Sequence, residues 1–343
     1  KTGVPYDGTL TAADGKGKWW DGLDPQKLYA QNHPLTRASW ADGTIHSQWA
    51  WGNGATPPSE EFCTNFYNRT LDVVNRYKPD LLYFDVTGVP FYPVSDAGLK
   101  IAAHFYNSNM ALNGGDLRAV MFGKILTEEQ KKALVWDVER GAPNNIVPDP
   151  WQSCSCIGGW HYDTSIYENN AYKSAPTVIK LLADIVSKNG NLLLSIPLRA
   201  DGTFDEKEEA VLHGIGKWMG INSEAIFSTR PWQVFGEGPV AEADIAIKAQ
   251  GFNEGEYARM GSREIRFTQT PKHIYAIVLD WPEDNKVLIK SLAAGSPKVK
   301  GKIKNVELLG YGKLKATHTA EGLAVELPAG HDYRTVPVLR IKK

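Results

Sequence analysis

The chain has 343 residues, of which 42% are hydrophobic, and its 38 Lys and Arg nearly balance its 39 Asp and Glu. This composition excludes a disordered chain and offers no basic surface for nucleic acid. The sequence also has no run of about 18 apolar residues and only three cysteines, so it predicts neither a membrane span nor a structural zinc site or disulfide framework.

Helices and apolar strands alternate along the first part of the chain. The segment 58–78 has an N-capping serine, acidic residues in its first turn and apolar residues at helical spacing, and it ends before Pro79. The elements predicted after it are strand 80–85, helix 95–113, strand 117–123, a helix from 127, strand 133–139, helix 174–188 with Gly190 as its C-cap, strand 191–198 and helix 205–220. Because these strands are continuously apolar, they favour a parallel sheet covered on both faces, which is an α/β architecture.

The pattern changes near residue 229, where short strands begin to recur with turn residues between them. This predicts an antiparallel β-sandwich domain at 229–343, after a catalytic domain at 1–228. A complete (β/α) barrel takes about 250 residues, whereas 1–228 supply four clear strand–helix units. We therefore predict an incomplete (β/α) barrel-type catalytic domain followed by an all-β sandwich, and we expect the chain to start partway through the barrel.

Two carboxylates come at the ends of predicted strands. Asp85 closes the strand in DLLYFDVTG at 80–88, and Glu139 closes the next strand but one, in VWDVERG. In a barrel the carboxyl ends of the strands form the active site, so both residues are candidates for catalysis. Asp137 lies on the same face of its strand as Glu139 and competes with it. The alternative for Asp85 is a cap of the following loop that accepts backbone N–H bonds, and the alternative for Glu139 is a surface ion pair with Arg140.

The tryptophans point to a sugar ligand. The chain has 11 of them, and several lie in short loops flanked by Gly, Asn or polar residues, such as SQWAWGNG around Trp49 and GGWHYD around Trp160. A Trp side chain stacks its large apolar face on a sugar ring, so loop tryptophans suggest carbohydrate. Combined with two strand-end carboxylates, they match the needs of retaining glycoside hydrolysis.

Several motifs together resemble the α-L-fucosidases of glycoside hydrolase family 29. They are DLLYFD at 80–85, VWDVERG at 135–141, GGWHY at 158–162 and SKNGNLLLSIPLRADGT at 187–203, and the resemblance extends over about 56–235. It implies a retaining exo-glycosidase that releases terminal α-L-fucose by double displacement. Asp85 would be the nucleophile and Glu139 the general acid/base, and no metal or organic cofactor would be needed.

The resemblance also suggests which residues contact the sugar. Trp160 would line the apolar patch that receives the C6 methyl group of fucose, beside His161, which replaces a customary Gly. Lys124 falls where many members have an Arg and would contact the nucleophile or a sugar hydroxyl. The remaining candidates for substrate contact are Trp136, His46 and Trp49, the last two in a loop that precedes the first predicted helix.

Two other functions fit the same residues. One is a carbohydrate-binding or catalytically inactive remnant of such an enzyme, and the other is a retaining hydrolase for another sugar, such as an α-galactoside. The expected partner is a fucosylated oligosaccharide or glycoconjugate, with no nucleic acid and no membrane span. From the family, the expected location is periplasmic or extracellular, or lysosomal in a eukaryote, while linkage preference, natural glycan and oligomeric state stay open.

Overall fold

The computed structural model describes residues 11–23, 58–87, 89–243, 253–299, 301–330 and 335–343. The chain divides into two compact units, Lys1–Trp136 and Asp137–Lys343. This division lies inside a β-strand, and the domain boundary expected at 228 stays a prediction. In the described ranges, no helix combines the length and the apolar character that a membrane span requires.

The first unit alternates helices and strands in the predicted order. Its described helices and strands are α1 (Glu60–Tyr77), β1 (Leu81–Thr87), α2 (Ala97–Leu112), β2 (Val120–Lys124) and the first residues of β3 (Val135–Glu139). Helix α1 begins where the hydroxyl of Ser59 accepts a hydrogen bond from the amide of Phe62 at 3.2 Å. It ends at Tyr77, because its C-cap Lys78 has the left-handed conformation and Pro79 follows.

The helix predicted from residue 127 is wrong. A single 3₁₀ turn, Gln130–Lys132, occupies this connection, and the hydroxyl of Thr127 accepts a hydrogen bond from the amide of Gln130 at 3.2 Å. The short connection from the end of β2 to the start of β3 must run back along the sheet. That return leaves room for one tight turn only.

The pairing of β1 with β2 determines where Asp85 lies. The two strands are parallel, and regular pairing continues up to Phe84 opposite Gly123. The next pair is Thr87 opposite Lys124, so two residues of β1 are left over in a bulge-like irregularity. Asp85 is the first of these two, and such irregularities often redirect a side chain beside an active site.

The larger hydrophobic cluster of the first unit lies between its helices and its sheet. Its buried members are Val74, Val89, Ala102, Phe105, Ala119, Met121, Leu126 and Leu134. They come from both helices, from β2 and from the connections, and Leu82 and Phe84 of β1 pack against them partly buried, so this cluster ties β1 and β2 to the helices that cover them.

The parallel sheet continues in the second unit. The next elements are β4 (Trp151–Cys156), α3 (Thr164–Glu168), α4 (Ala175–Ser187), β5 (Gly190–Ser195) and α5 (Glu206–Asn222). Strands β4 and β5 are parallel, and the order of the five-stranded sheet, β1-β2-β3-β4-β5, follows the chain. This is the incomplete barrel-type sheet that the sequence predicts.

An antiparallel β domain follows. Its elements are β6 (Arg230–Glu237), α6 (Pro239–Glu242), β7 (Ile265–Gln269), β8 (His273–Val278), β9 (Lys286–Ile289), β10 (Asn305–Leu308), β11 (Gly312–Lys313), β12 (Ala316–His318), β13 (Leu323–Glu326) and β14 (Val338–Lys342). They form a six-stranded sheet, β11-β10-β14-β8-β7-β6, and a three-stranded sheet, β12-β13-β9. Phe267 and Ile274 of the larger sheet share one buried cluster with Ile289 and Val325 of the smaller. The predicted fold class, a barrel-type sheet followed by a β-sandwich, is therefore confirmed.

Gly190 has a packing role and does not cap helix α4. The last helical residue is Ser187, its C-cap is Lys188, and the left-handed residue after the cap is Asn189, with φ of 73°. A Cβ atom on Gly190 would lie 2.5 Å from two ring carbons of Trp151 and 2.8 Å from Cγ2 of Ile185. The indole of Trp151 is fully buried and donates to the carbonyl of Lys188 at 2.9 Å, so it has little freedom to move away. The glycine of the SKNGN motif thus lets this tryptophan pack between α4 and β5.

Gly190→Ala is expected to lower the free energy of unfolding by about 1–3 kcal/mol, because the new methyl group overpacks the buried indole. Urea unfolding followed by fluorescence measures this change. The matched control is Gly216→Ala on α5, where a Cβ atom would meet no other atom within 4 Å. Removing the backbone freedom of Gly216 should stabilise the protein by about 0.5–1 kcal/mol. Equal effects of the two substitutions would contradict this explanation.

Candidate active site

The first group of candidate residues is built around Asp85. The bulge at the end of β1 exposes 71% of its side chain. The ammonium Nζ of Lys124 donates to Oδ1 of Asp85 at 2.5 Å, and the hydroxyl of Tyr83 donates to the same oxygen at 3.4 Å. These two hydrogen bonds hold Oδ1 of Asp85, while most of its side chain stays exposed to solvent.

Lys124 reaches Asp85 from the end of the neighbouring strand. Its side chain is only 10% exposed, so the aliphatic part is buried and the ammonium group comes out beside the carboxylate. The strand register makes this possible, since Lys124 pairs with Thr87, two residues beyond Asp85. A cation in hydrogen-bond contact fixes the orientation of the carboxylate, as a nucleophile requires.

Trp136 lies on the first residues of β3 with its side chain half-buried. It packs against the core of the first unit, and the ammonium of Lys131 lies 4.3 Å from the centre of its ring. These contacts describe a packing role, and contact of Trp136 with a sugar stays a prediction.

In the second unit, the two acidic residues of β3 have different environments. Asp137 is fully buried, and its oxygens accept hydrogen bonds from Nε2 of Gln152 at 2.8 Å and from Sγ of Cys154 at 3.1 Å. Glu139, at the end of the strand, is half-buried. Asp137 therefore serves as an internal hydrogen-bond acceptor between β3 and β4, whereas Glu139 is accessible at the strand end.

The residue after Glu139 turns the chain sharply. Arg140 has a φ of 49°, which is unusual for a residue with a side chain, and its amide donates to the carbonyl of Cys154 at 2.8 Å. Its guanidinium Nε donates at 2.5 Å to Oε1 of Glu254, a carboxylate that is 2% exposed. Sequence reasoning missed Glu254, because the stretch GFNEGEYAR has no strand or motif that would mark an acidic residue as functional.

Trp160 and His161 belong to the loop after β4. Trp160 is 39% exposed, a large fraction for an indole, and His161 is also exposed. In the same loop, the ring of Tyr162 lies 6.0 Å from the guanidinium carbon of Arg199. The loop thus offers an aromatic surface on which a sugar could stack.

His46 and Trp49 lie outside the described residues. Among the residues that are described, no group of three or more His, Cys, Asp or Glu side chains could hold a metal ion.

A parallel barrel-type sheet with carboxylates at the strand ends, followed by an antiparallel β domain, is the arrangement of a barrel glycoside hydrolase. Comparison with known families makes this specific. A model of the α-L-fucosidase family matches residues 26–224, and a model of the α-L-fucosidase C-terminal domain matches residues 260–342. The chain therefore belongs to the α-L-fucosidase family.

Individual relatives agree with this assignment. The plasma α-L-fucosidase of Homo sapiens is 26% identical over 271 residues, which cover 75% of this chain and 50% of the relative. The chain spans about half the length of the curated relatives it matches.

Solved structures share the fold. One α-L-fucosidase structure has a TM-score of 0.64 at 20% identity, and the match covers 94% of this chain and 62% of the chain in that structure. A trapped covalent intermediate of a family 29 α-L-fucosidase from Bacteroides thetaiotaomicron has a TM-score of 0.57 at 18% identity, with coverage of 82% and 61%.

Proposed function

We propose that this chain carries the catalytic residues of a retaining exo-α-L-fucosidase, which releases terminal α-L-fucose from oligosaccharides or glycoconjugates. The observation that carries the proposal is the exposed strand-end carboxylate of Asp85, held at 2.5 Å by Lys124, in a chain of this family. The covalent intermediate named for the Bacteroides enzyme supports a double displacement.

In the proposed mechanism Asp85 attacks the anomeric carbon of fucose and forms an ester. The bond to the leaving oxygen breaks, and that oxygen takes a proton from Glu139. Glu139, now a carboxylate, takes a proton from water, and the resulting nucleophile displaces Asp85 from the anomeric carbon. Two inversions return the sugar to its original configuration, and the reaction needs no metal or organic cofactor.

Glu139 suits the acid/base role better than Asp137. Both oxygens of Asp137 accept hydrogen bonds inside the protein, from Gln152 and Cys154, and the side chain has no exposed surface. A general acid must reach the leaving oxygen of the substrate directly or through one water. The half-buried Glu139 at the strand end is the accessible group of the two.

The sugar contacts and the domain roles follow from the same proposal. Trp160 would receive the C6 methyl group, with His161 beside it, and Lys124 would orient Asp85. Trp136, His46 and Trp49 complete the proposed contacts. We assign the catalytic part to 1–228 and a supporting β-sandwich to 229–343. By analogy with the plasma relatives, the enzyme would act outside the cytoplasm or in a lysosome.

Hydrolysis of 4-nitrophenyl α-L-fucoside tests this function. The closest control substrate is the α-L-galactoside, which differs only by a hydroxyl group on C6, and its kcat/KM should be about 10- to 100-fold lower. Proton NMR during the first minutes should show the α anomer of fucose as the initial product, as retention requires. Inverted product, or a faster reaction with an α-D-galactoside, would contradict the proposal, and fucose binding without hydrolysis would favour a carbohydrate-binding protein.

A further inference from the structure

A buried acidic residue, Glu254, is bound to the chain where β3 ends. It lies in a 3₁₀ helix, Asn253–Arg259, between the two regions that the family models match. Its carboxylate Oε1 accepts from Nε of Arg140 at 2.5 Å and lies 3.0 Å from Nζ of Lys173, and the hydroxyl of Ser155 donates to Oε2. A carboxylate that is 2% exposed and has three such donors is held in one orientation.

Glu254 also holds the backbone that follows Glu139. Its amide donates to the carbonyl of Arg140 at 3.3 Å, so both the backbone and the side chain of Glu254 contact this one residue. Arg140 has the left-handed conformation, which is costly for a residue with a Cβ atom and persists where its surroundings hold it. Because Glu139 immediately precedes it, holding Arg140 in place also holds the peptide group to which Glu139 is joined.

Glu254, Glu139, Arg140 and Lys173 all influence the thiol of Cys156. Burial raises the pKa of the Cys156 thiol, while the positive charges of Lys173 and Arg140 lower it and the negative charges of Glu254 and Glu139 raise it. All four charged groups are therefore close enough to influence the same atom. The surroundings of Cys156 therefore bring Glu139 together with two cations, Arg140 and Lys173, and one further anion, Glu254.

The helix of Glu254 also carries a buried titratable group, Tyr257. Tyr257 is buried beside it, and burial followed by the charge of Asp184 raises the pKa of its phenol well above the usual range. Tyr257 is therefore neutral at physiological pH and contributes no charge. Beside Cys156, the charged neighbours that accompany Glu139 are Glu254, Arg140 and Lys173.

We propose that Glu254 is a positioning residue for Glu139, holding Arg140 in place and neutralising the cations beside it so that Glu139 is protonated when it meets the substrate. This inference rests on the proposed function, in which Glu139 is the general acid/base. Without the charge of Glu254, Arg140 and Lys173 would favour the ionised form of Glu139, which cannot protonate a leaving oxygen. Without Lys173, one cation fewer would stabilise the ionised form of Glu139, so the protonated form would be favoured relative to the parent.

The test is the pH dependence of kcat/KM with phenyl α-L-fucoside, whose poor leaving group needs a proton. Glu254→Gln should move the alkaline limb of the profile to lower pH by about one pH unit, and Lys173→Met should move it to higher pH. Glu254→Asp, which keeps the charge, should restore most of the parent profile. The matched control is Glu256→Gln, an exposed residue of the same 3₁₀ helix that pairs with exposed Arg259 at 3.2 Å, and it should leave the profile unchanged.

A second measurement is independent of activity. Carbon-13 NMR follows protonation of the Glu139 carboxyl group, whose signal is assigned because it is missing from the Glu139→Gln spectrum. The pH of half-protonation should fall in Glu254→Gln and rise in Lys173→Met. An inactive parent would contradict the proposed fucosidase function, while NMR would still decide the role of Glu254. Unchanged half-protonation points, or shifts of one sign in both folded variants, would overturn the inference. If Glu254→Gln does not fold, Lys173→Met decides by itself, because an upward shift supports the proposal and no shift overturns it.

Discussion

Replacing Asp85 with glycine is expected to reduce hydrolysis of an aryl α-L-fucoside by about 10⁴-fold or more, because the reaction loses its nucleophile. Sodium azide should restore turnover of a substrate with a good leaving group. The small anion enters the space of the missing carboxylate and attacks the anomeric carbon once, so the product should be fucosyl azide of inverted configuration. Product analysis by NMR measures both the rescue and the stereochemistry.

The exposure of Asp85 makes this test specific. Its side chain is 71% exposed, so its removal should leave the core of the first unit intact, and circular dichroism can confirm the fold. The control is Asp116→Gly, because Asp116 is also an exposed carboxylate that pairs with a cation, Arg118, at 3.2 Å. It should keep parent activity. A folded Asp85→Gly enzyme with near-parent activity, or one that forms azide of retained configuration, would exclude Asp85 as the nucleophile.

The second large effect concerns stability. Asp184 of α4 is 1% exposed, and its oxygens accept hydrogen bonds from Arg266 of β7 at 2.5 Å and from Lys188 and Tyr257 at 2.6 Å each. Asp184→Asn keeps the shape but removes the charge, and it leaves two buried cations insufficiently neutralised. The free energy of unfolding should fall by about 3–5 kcal/mol, measured by urea unfolding.

The same group predicts a loss of stability in strong acid. Burial by itself raises the pKa of Asp184, but the positive charges of Lys188 and Arg266 and the hydrogen bonds from Lys188 and Tyr257 outweigh burial and bring it to about 2. Since this folded-state pKa is below the unfolded value of about 3.9, the stabilisation is fully present above pH 4 or so and is lost as pH falls towards 2. The parent should lose stability in this window, and the Asp184→Asn variant should lose less.

The control for this prediction is the exposed pair of Glu256 and Arg259. Glu256→Gln should change the free energy of unfolding by no more than about 0.5 kcal/mol, since an exposed ion pair contributes little. If Asp184→Asn lowered the free energy of unfolding just as little, other groups would have to neutralise the buried charges of Lys188 and Arg266. The explanation of this network as a stabilising contact between α4 and β7 would then be wrong.

Local pattern was enough for most of the architecture. The helix at 58–78 and the apolar strands around Asp85 and Glu139 were predictable, because side-chain periodicity and capping residues are read from neighbours in the chain. The same reasoning failed at 127–133, where a helical composition occupies a connection too short for a helix. It also assigned Gly190 to a helix cap, whereas the bulk of Trp151, 39 positions earlier, explains that glycine.

The sequence by itself determined the alternation of helices and strands, the position of Asp85 at a strand end and membership of the fucosidase family, because each depends on short stretches of neighbouring residues. Only the tertiary structure decided that Lys124 contacts Asp85, that Asp137 is used inside the protein and that Glu254 holds Arg140. The partners in the first and last of these contacts are 39 and 114 positions apart along the chain. Such residues meet through strand register and packing, which local composition does not encode.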